Sequence, residues 1–181
     1  MTRVREVDQE LWALALQAAS FVPLQQSPAY GAALARRGRA PRRLLVEDGG
    51  GRIMLGVQAP TRRIAGLPLF TAALRGPLPL QGGREAIAPE PLAAAIRALR
   101  RPWPHALVVA PELSDGDEAS RALRECGLRR VMTPACSIEV PLAGDAAALR
   151  ARLDGKWRNR LAKAEAAGLR VDIARGGASL S

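Results

Sequence analysis

Lysine is confined to one short stretch of this chain. "GKWRNRLAKAEAAG", residues 155–168, holds both lysines, Lys156 and Lys163, while the other 25 of the 27 basic side chains are arginine. At about 100° per residue, Lys156, Arg160 and Lys163 form a stripe at i, i+4 and i+7 of a helix. Trp157, Leu161 and Ala164 line a second face with Leu153 close to it, and Arg158 and Glu165 fall on the opposite side. Gly155 interrupts the preceding helical pattern, so Lys156 to Arg158 are expected at a fresh helix N-terminus. Free N–H groups and the helix dipole favour an anion there. A compact ammonium and a planar guanidinium together suit a phosphate or diphosphate. The alternative for the same residues is a solvated basic face with no ligand.

The other reactive side chains form no catalytic set. His105 is the only histidine and opens an apolar strand, which leaves no triad or histidine metal cluster and points to a structural role. Cys126 and Cys136 have neither a C-x-x-C partner nor an adjacent base. Glu112, Asp115, Asp117 and Glu118 read as a solvated helix start. "DGGGR" (48–52) reads as a hairpin turn, and "LQGGREA" (80–86) has glycines without the spacing of a nucleotide-binding loop.

The elements that must position these residues come from length and pattern. A chain of 181 residues fits one domain and buries enough surface to fold without disulfide or metal. Hydrophobic residues are 48% and aromatics only 3%, so Leu, Val, Ile and Ala must fill the core. The net charge of +10 attracts phosphates and anionic surfaces, although the bias toward Ala, Arg, Gly and Pro accounts for part of it. Two cysteines without a framework suggest a reduced, cytoplasmic protein. The N-terminal apolar run, preceded by Glu6, Asp8 and Glu10, reads as an amphipathic helix rather than a leader. No stretch reaches the ~20 apolar residues of a membrane span.

Arg3 to Val7 alternates as a short strand. Asp8 caps a helix to about Ala19 with Leu11, Leu14 and Ala15 at helical spacing, and Ser27-Pro28 opens a second helix closed by Gly38. "RRLLVEDGGGRIMLGVQAP" is a hairpin, and Leu67 to Leu74 is a third apolar strand. A helix follows over 89–101 with Leu92, Ile96 and Leu99 on one face. "HALVVAPEL" reads as a buried strand and 117–127 as a helix. "LRRVM", "CSIEVPL" and "LRVDIAR" read as strands, with helix between Gly144 and Gly168. The expected fold is α/β: a mixed, mostly antiparallel sheet with helices on both faces, in one domain over 1–174 with a disordered tail at 175–181.

In this order, several motifs are similar to those of the Fem-type peptidoglycan aminoacyltransferases, which belong to the GNAT-like superfamily. They are "LQQSPAYGAAL" (24–34), "LRGPLPL" (74–80), "VVAPEL" (108–113), "ECGLRRVMTPACSIEVPL" (125–142) and "LRARLDGKWRNRLAKAEAAGLRV" (149–171). The chain resembles the first of the family's two GNAT-like domains, the one that helps hold the phosphate-bearing peptidoglycan precursor. The resemblance implies that Lys156 and Arg158 face the phosphates and that Gln26, Ser27 and Tyr30 line the other side. Leu34 stands where the family often has a basic residue, so Arg36 or Arg37 is expected to serve instead. No metal or other cofactor is implied. Aminoacyl-tRNA is implied as a partner only through a second domain, so the chain is expected to be a fragment, a truncated product or one half of a two-chain transferase. Two alternatives stand beside this one. A single-domain acyl-CoA-dependent N-acyltransferase would need a pyrophosphate loop that is not apparent, and an RNA-binding module would want aromatic platforms among its basic residues.

Overall fold

The structure is a computed structural model and describes residues 2–81, 88–112, 117–132 and 141–168. The chain divides into two compact units, Met1–Pro134 and Ala135–Ser181. Unit 1 contains β1 (Arg3–Glu6), α1 (Gln9–Ala15), α2 (Pro28–Arg36), β2 (Pro41–Glu47), β3 (Ile53–Ile64) and β4 (Leu67–Leu74). It continues with β5 (Leu78–Pro79), α3 (Pro89–Leu99), β6 (Ala106–Ala110) and α4 (Asp117–Glu125). Unit 2 contains α5 (Ala146–Arg152) and α6 (Gly155–Ala166).

Among the described residues, six strands form one mixed, mostly antiparallel sheet in the order β1-β2-β3-β4-β6, with β5 paired to the first part of β3. Among the described strands only β4 and β6 run parallel, and α3 provides the crossover that a parallel pair requires. The β2–β3 hairpin forms as its sequence predicts. The Asp48 carboxylate accepts the N–H groups of Gly50 and Arg52 at 2.9 and 3.0 Å, and Gly51 takes a φ of 80° that favours glycine.

Alternation along β2 assigns the two faces of the sheet. Leu45 packs with Val7, Trp12, Ala15 and Leu16 under α1, whereas Leu44 packs with Val57, Ala59, Ala73 and Leu99 under α3. Helices therefore cover both faces, α1 and α2 on one and α3 with α4 on the other. Leu92, Ile96 and Leu99 of α3 are fully buried, as their spacing predicts, and each contributes on the order of 2–5 kcal/mol against truncation to Ala.

Four local readings need correction. First, α1 ends at Ala15 and continues as a short 3₁₀ turn over Leu16–Ala18. Its buried stripe is Trp12, Ala15 and Leu16, while Leu11 and Leu14 are exposed. The two leucines lie on the solvent side because the indole of Trp12 fills the space over Gly56, where an added Cβ would come within 2.6 Å of it. Second, β6 is half-exposed rather than buried, and it is the last strand of the sheet among the described residues. Third, Leu128 to Met132 form no strand. Fourth, the break between α5 and α6 falls at Leu153 and Asp154, and Gly155 is the first residue of α6. The strand expected over 169–175, the tail, Cys136 and most of the 80–86 glycine stretch lie outside the described residues.

Candidate functional site

The buried polar centre of unit 1 is built around Gln26, at the end of a 3₁₀ turn over Leu24–Gln26. β3 pairs with β5 at Leu55 and Gly56 and with β4 from Thr61 onward, which leaves the backbone of Gln58 between the two ladders. The Gln26 side chain occupies that gap. Its Oε1 accepts the Gln58 N–H at 2.6 Å, and its Nε2 donates to the carbonyls of Gln58 and Leu74 at 3.0 and 2.8 Å. One amide side chain thus does for β3 what a neighbouring strand would do, and buried backbone groups demand such partners. The Gln26 backbone carbonyl in turn accepts Nε1–H of Trp12 at 3.0 Å.

Gly76 makes room for this arrangement, since a Cβ there would lie 2.7 Å from Gln26 Nε2. The flanking residues fix the approach of the Arg75-Gly76-Pro77 segment to the end of β6. The Gly76 N–H donates to the Ala110 carbonyl and the Glu112 N–H to the Pro77 carbonyl, both at 3.1 Å. Arg75 meets the Glu112 carboxylate with two nitrogens, at 2.6 and 3.0 Å. Three of the sequence stretches singled out by their motifs, around Gln26, Arg75 and Glu112, therefore belong to one knot.

Gln58 extends it. Its Nε2 donates to the carbonyls of Gln25 and Ser27 at 3.2 and 3.1 Å, and its Oε1 accepts Nε–H of Arg43 at 2.9 Å. Arg43 is buried, with Gln9 Oε1 at 3.4 Å from its second nitrogen. Burial pushes its pKa below the ordinary arginine value, and the field of Asp8 opposes that shift. Gly31 of α2 permits the close pass, because a Cβ there would lie 2.1 Å from Gln58 Oε1.

The residues expected to line a substrate take different positions around this centre. Gln26 is fully buried with its amide engaged inside the protein. The Ser27 hydroxyl caps α2, accepting the Tyr30 N–H at 3.2 Å and donating to the Leu24 carbonyl at 2.8 Å. Tyr30 is half-buried and lines a shallow depression with Gln25, Gln58, Pro60, Ala72 and Leu74. Arg36 is exposed in the last turn of α2.

Lys156 and Arg158 belong to unit 2 and are exposed in the first turn of α6. Asp154 is the N-cap, and its carboxylate accepts the Lys156 N–H at 2.9 Å. An internal anion thus takes one of the first-turn backbone donors that a bound phosphate could use. Arg158 donates one N–H to the Ala151 carbonyl at 3.3 Å, and Arg160 lies 5.3 Å from the centre of the Trp157 ring. The Asp-Gly pair is a capping signal that the sequence carries openly, and reading the break from Gly155 alone overlooked it.

His105 joins a polar chain on the α3 side of the sheet, where Thr71 Oγ1 lies 2.8 Å from both His105 Nε2 and Thr61 Oγ1. Burial first, then Arg101, lowers its pKa from the ordinary histidine value. Burial likewise raises the Cys126 thiol, with nearby Arg100 and Arg97 opposing, so it is not poised as a thiolate. Sequence reasoning missed Gln58 and Arg43 altogether. Two polar residues at inward positions of hydrophobic strands were the available signal. Among the described residues no helix is long and apolar enough to cross a membrane. Compared with known proteins, the chain matches no family model and no curated protein.

Proposed function

We propose that the chain is the acceptor-holding, GNAT-like part of an acyl or aminoacyl transferase of the Fem type, working on a phosphate-bearing, peptidoglycan-precursor-like substrate. One observation supports the reading above the others. The Gln-Ser, Arg-Gly-Pro and Pro-Glu stretches, far apart in sequence, contact one another through Gln26, Gly76 and the Arg75–Glu112 pair. That is what is expected of motifs that specify one shared architecture. In this reading the knot fixes the sheet, and Tyr30 presents its ring at the adjoining depression. Lys156 and Arg158 supply charge through their side chains, and the transfer relies on positioning and electrostatics.

A charge-assisted hydrogen bond contributes about 1.5–3 kcal/mol, so Arg158→Ala should weaken a phosphate ligand roughly tenfold or more. Lys163, near the other end of α6, should matter less. Calorimetric titration of a uridine-diphosphate-linked peptide precursor into wild type, Arg158→Ala and Lys163→Ala tests this. Three indistinguishable affinities would leave α6 as a solvated basic face.

A further inference from the structure

A separate feature lies at one end of the unit 1 sheet. The β3–β4 hairpin turns there through Ala65 and Gly66, both at positive φ (49° and 79°), and Ile64 pairs with Leu67 across the turn. Two left-handed central residues make a tight turn whose twist matches the strands, and Arg63 braces it by donating to the Gly66 carbonyl at 3.0 Å. The parallel register of Phe70 with Ala106 brings the segment before β6 to the same end. That segment carries Trp103, 92% exposed, with Ile64 at 52%, Leu67 at 58% and Phe70 at 38%. Arg62 and Arg63 are exposed beside them. Pro41 pairs with Pro60, so the loop carrying exposed Arg36, Arg37 and Arg39 reaches this end too. Among the described residues, none of these five arginines is in an ion pair.

We propose that this end of unit 1 docks on an anionic membrane surface, with Ile64, Leu67 and Trp103 entering the interface and the arginines meeting the lipid headgroups. The chemistry separates this occupant from the others. A rigid turn holding two large aliphatic side chains in water has a use where they can leave water, and tryptophan is favoured at the headgroup level. Apolar side chains ringed by arginine are the composition that seats a peripheral protein about 5–10 Å into the headgroup boundary. A second copy of this chain would bring one arginine-rich end against another, and like charges repel. A single-stranded nucleic acid would gain from stacked aromatic platforms, whereas the hairpin tip offers aliphatic Ile64 and Leu67. The site is a surface contact and requires no span.

Cosedimentation of the full chain with vesicles tests the proposal, using phosphatidylcholine alone and phosphatidylcholine mixed with phosphatidylglycerol. Each arginine near an anionic leaflet contributes ~1 kcal/mol, or about fivefold in partitioning. The chain should bind the mixed vesicles, bind neutral ones far less, and lose more than tenfold on Arg62→Gln with Arg63→Gln. Ile64→Ser with Leu67→Ser, and separately Trp103→Ala, should each weaken binding by roughly tenfold. The emission of the wild type should shift to the blue on binding, and Trp103→Phe should remove that shift. All these positions are exposed, and an unchanged melting temperature confirms that the variants fold. Failure to bind mixed vesicles would overturn the proposal, as would equal binding to neutral ones. So would binding that depends on the arginines but not on Ile64, Leu67 and Trp103, which is the pattern of a nucleic acid or other polyanion. A blue shift that survives in Trp103→Phe would also refute it.

Discussion

The two units use polar side chains in opposite ways. In Met1–Pro134, Gln26, Gln58 and Arg43 turn inward and are buried among strands. In Ala135–Ser181, every residue of α6 is exposed, including Lys156, Arg158 and Trp157. A buried amide must find partners for each donor and acceptor, so it becomes a fixed part of the fold. An exposed lysine or arginine has water as its partner and keeps its charge available to a ligand. Residues grouped by sequence as two sides of one site thus answer to different physics. Gln26 answers to the stability of the fold, whereas Arg158 faces solvent.

The largest expected effect follows from that division. Gln26→Ala leaves the Gln58 N–H and the carbonyls of Gln58 and Leu74 without partners, in addition to creating a cavity. Each unsatisfied buried group costs ~1–3 kcal/mol, so the variant should lose about 3 kcal/mol or more, read from urea denaturation. Gly76→Ala should act in the same direction, because its Cβ would displace the same amide. Arg158→Ala should leave the denaturation curve where it is. A Gln26→Ala chain as stable as wild type would end the contrast between the units.

His105 is an intermediate case, half-buried and bonded to the buried Thr71 hydroxyl. Its folded-state pKa is lowered, by burial and then by Arg101. The unfolded chain therefore takes up a proton near the ordinary value of about 6.5 while the folded chain still resists it. Between the folded and unfolded values the unfolded state binds more protons, so stability is present above that window and declines as pH falls into it. Wild type should lose more of its denaturation midpoint between about pH 7.5 and pH 5.5 than His105→Gln, which keeps a partner for Thr71 but does not titrate. Equal losses would mean that His105 does not govern this part of the pH dependence.

Much of the sheet was legible because its signals are local. The Asp48 turn, the Ser27-Pro28 cap and the Leu92, Ile96, Leu99 stripe each rest on a few adjacent residues, and each forms as expected. The misreadings arose where tertiary packing decides. Helical spacing grouped Leu11 and Leu14 with Ala15, yet the two leucines are exposed and Trp12 takes the place over Gly56. The apolar run in β6 suggested burial, but β6 ends the sheet among the described residues and is half-exposed. Gln26 illustrates the limit at the candidate site. Its hydrogen-bond partners, Gln58 and Leu74, lie 32 and 48 residues away, and nothing near Gln26 in the sequence distinguishes a substrate-lining amide from one that closes a sheet.

The smallest expected effect concerns the pair that links the helices of unit 2. Arg150 of α5 donates to both oxygens of Glu165 in α6, at 2.8 and 2.7 Å. The geometry is bidentate, the best that a guanidinium and a carboxylate can adopt, and Glu165 raises the Arg150 pKa by accepting these bonds. Both side chains are nevertheless largely open to solvent, at 42% and 51% exposure. Water competes for each partner, salt screens the attraction, and ordering two long side chains costs entropy. Arg150→Gln should therefore shift the thermal midpoint far less than Gln26→Ala does, and raising the salt concentration should shrink even that difference. Melting curves of the two variants at low and moderate salt make the comparison. A loss for Arg150→Gln that rivals Gln26→Ala and persists in salt would show that unit 2 depends on a charged pair as unit 1 depends on its buried amide.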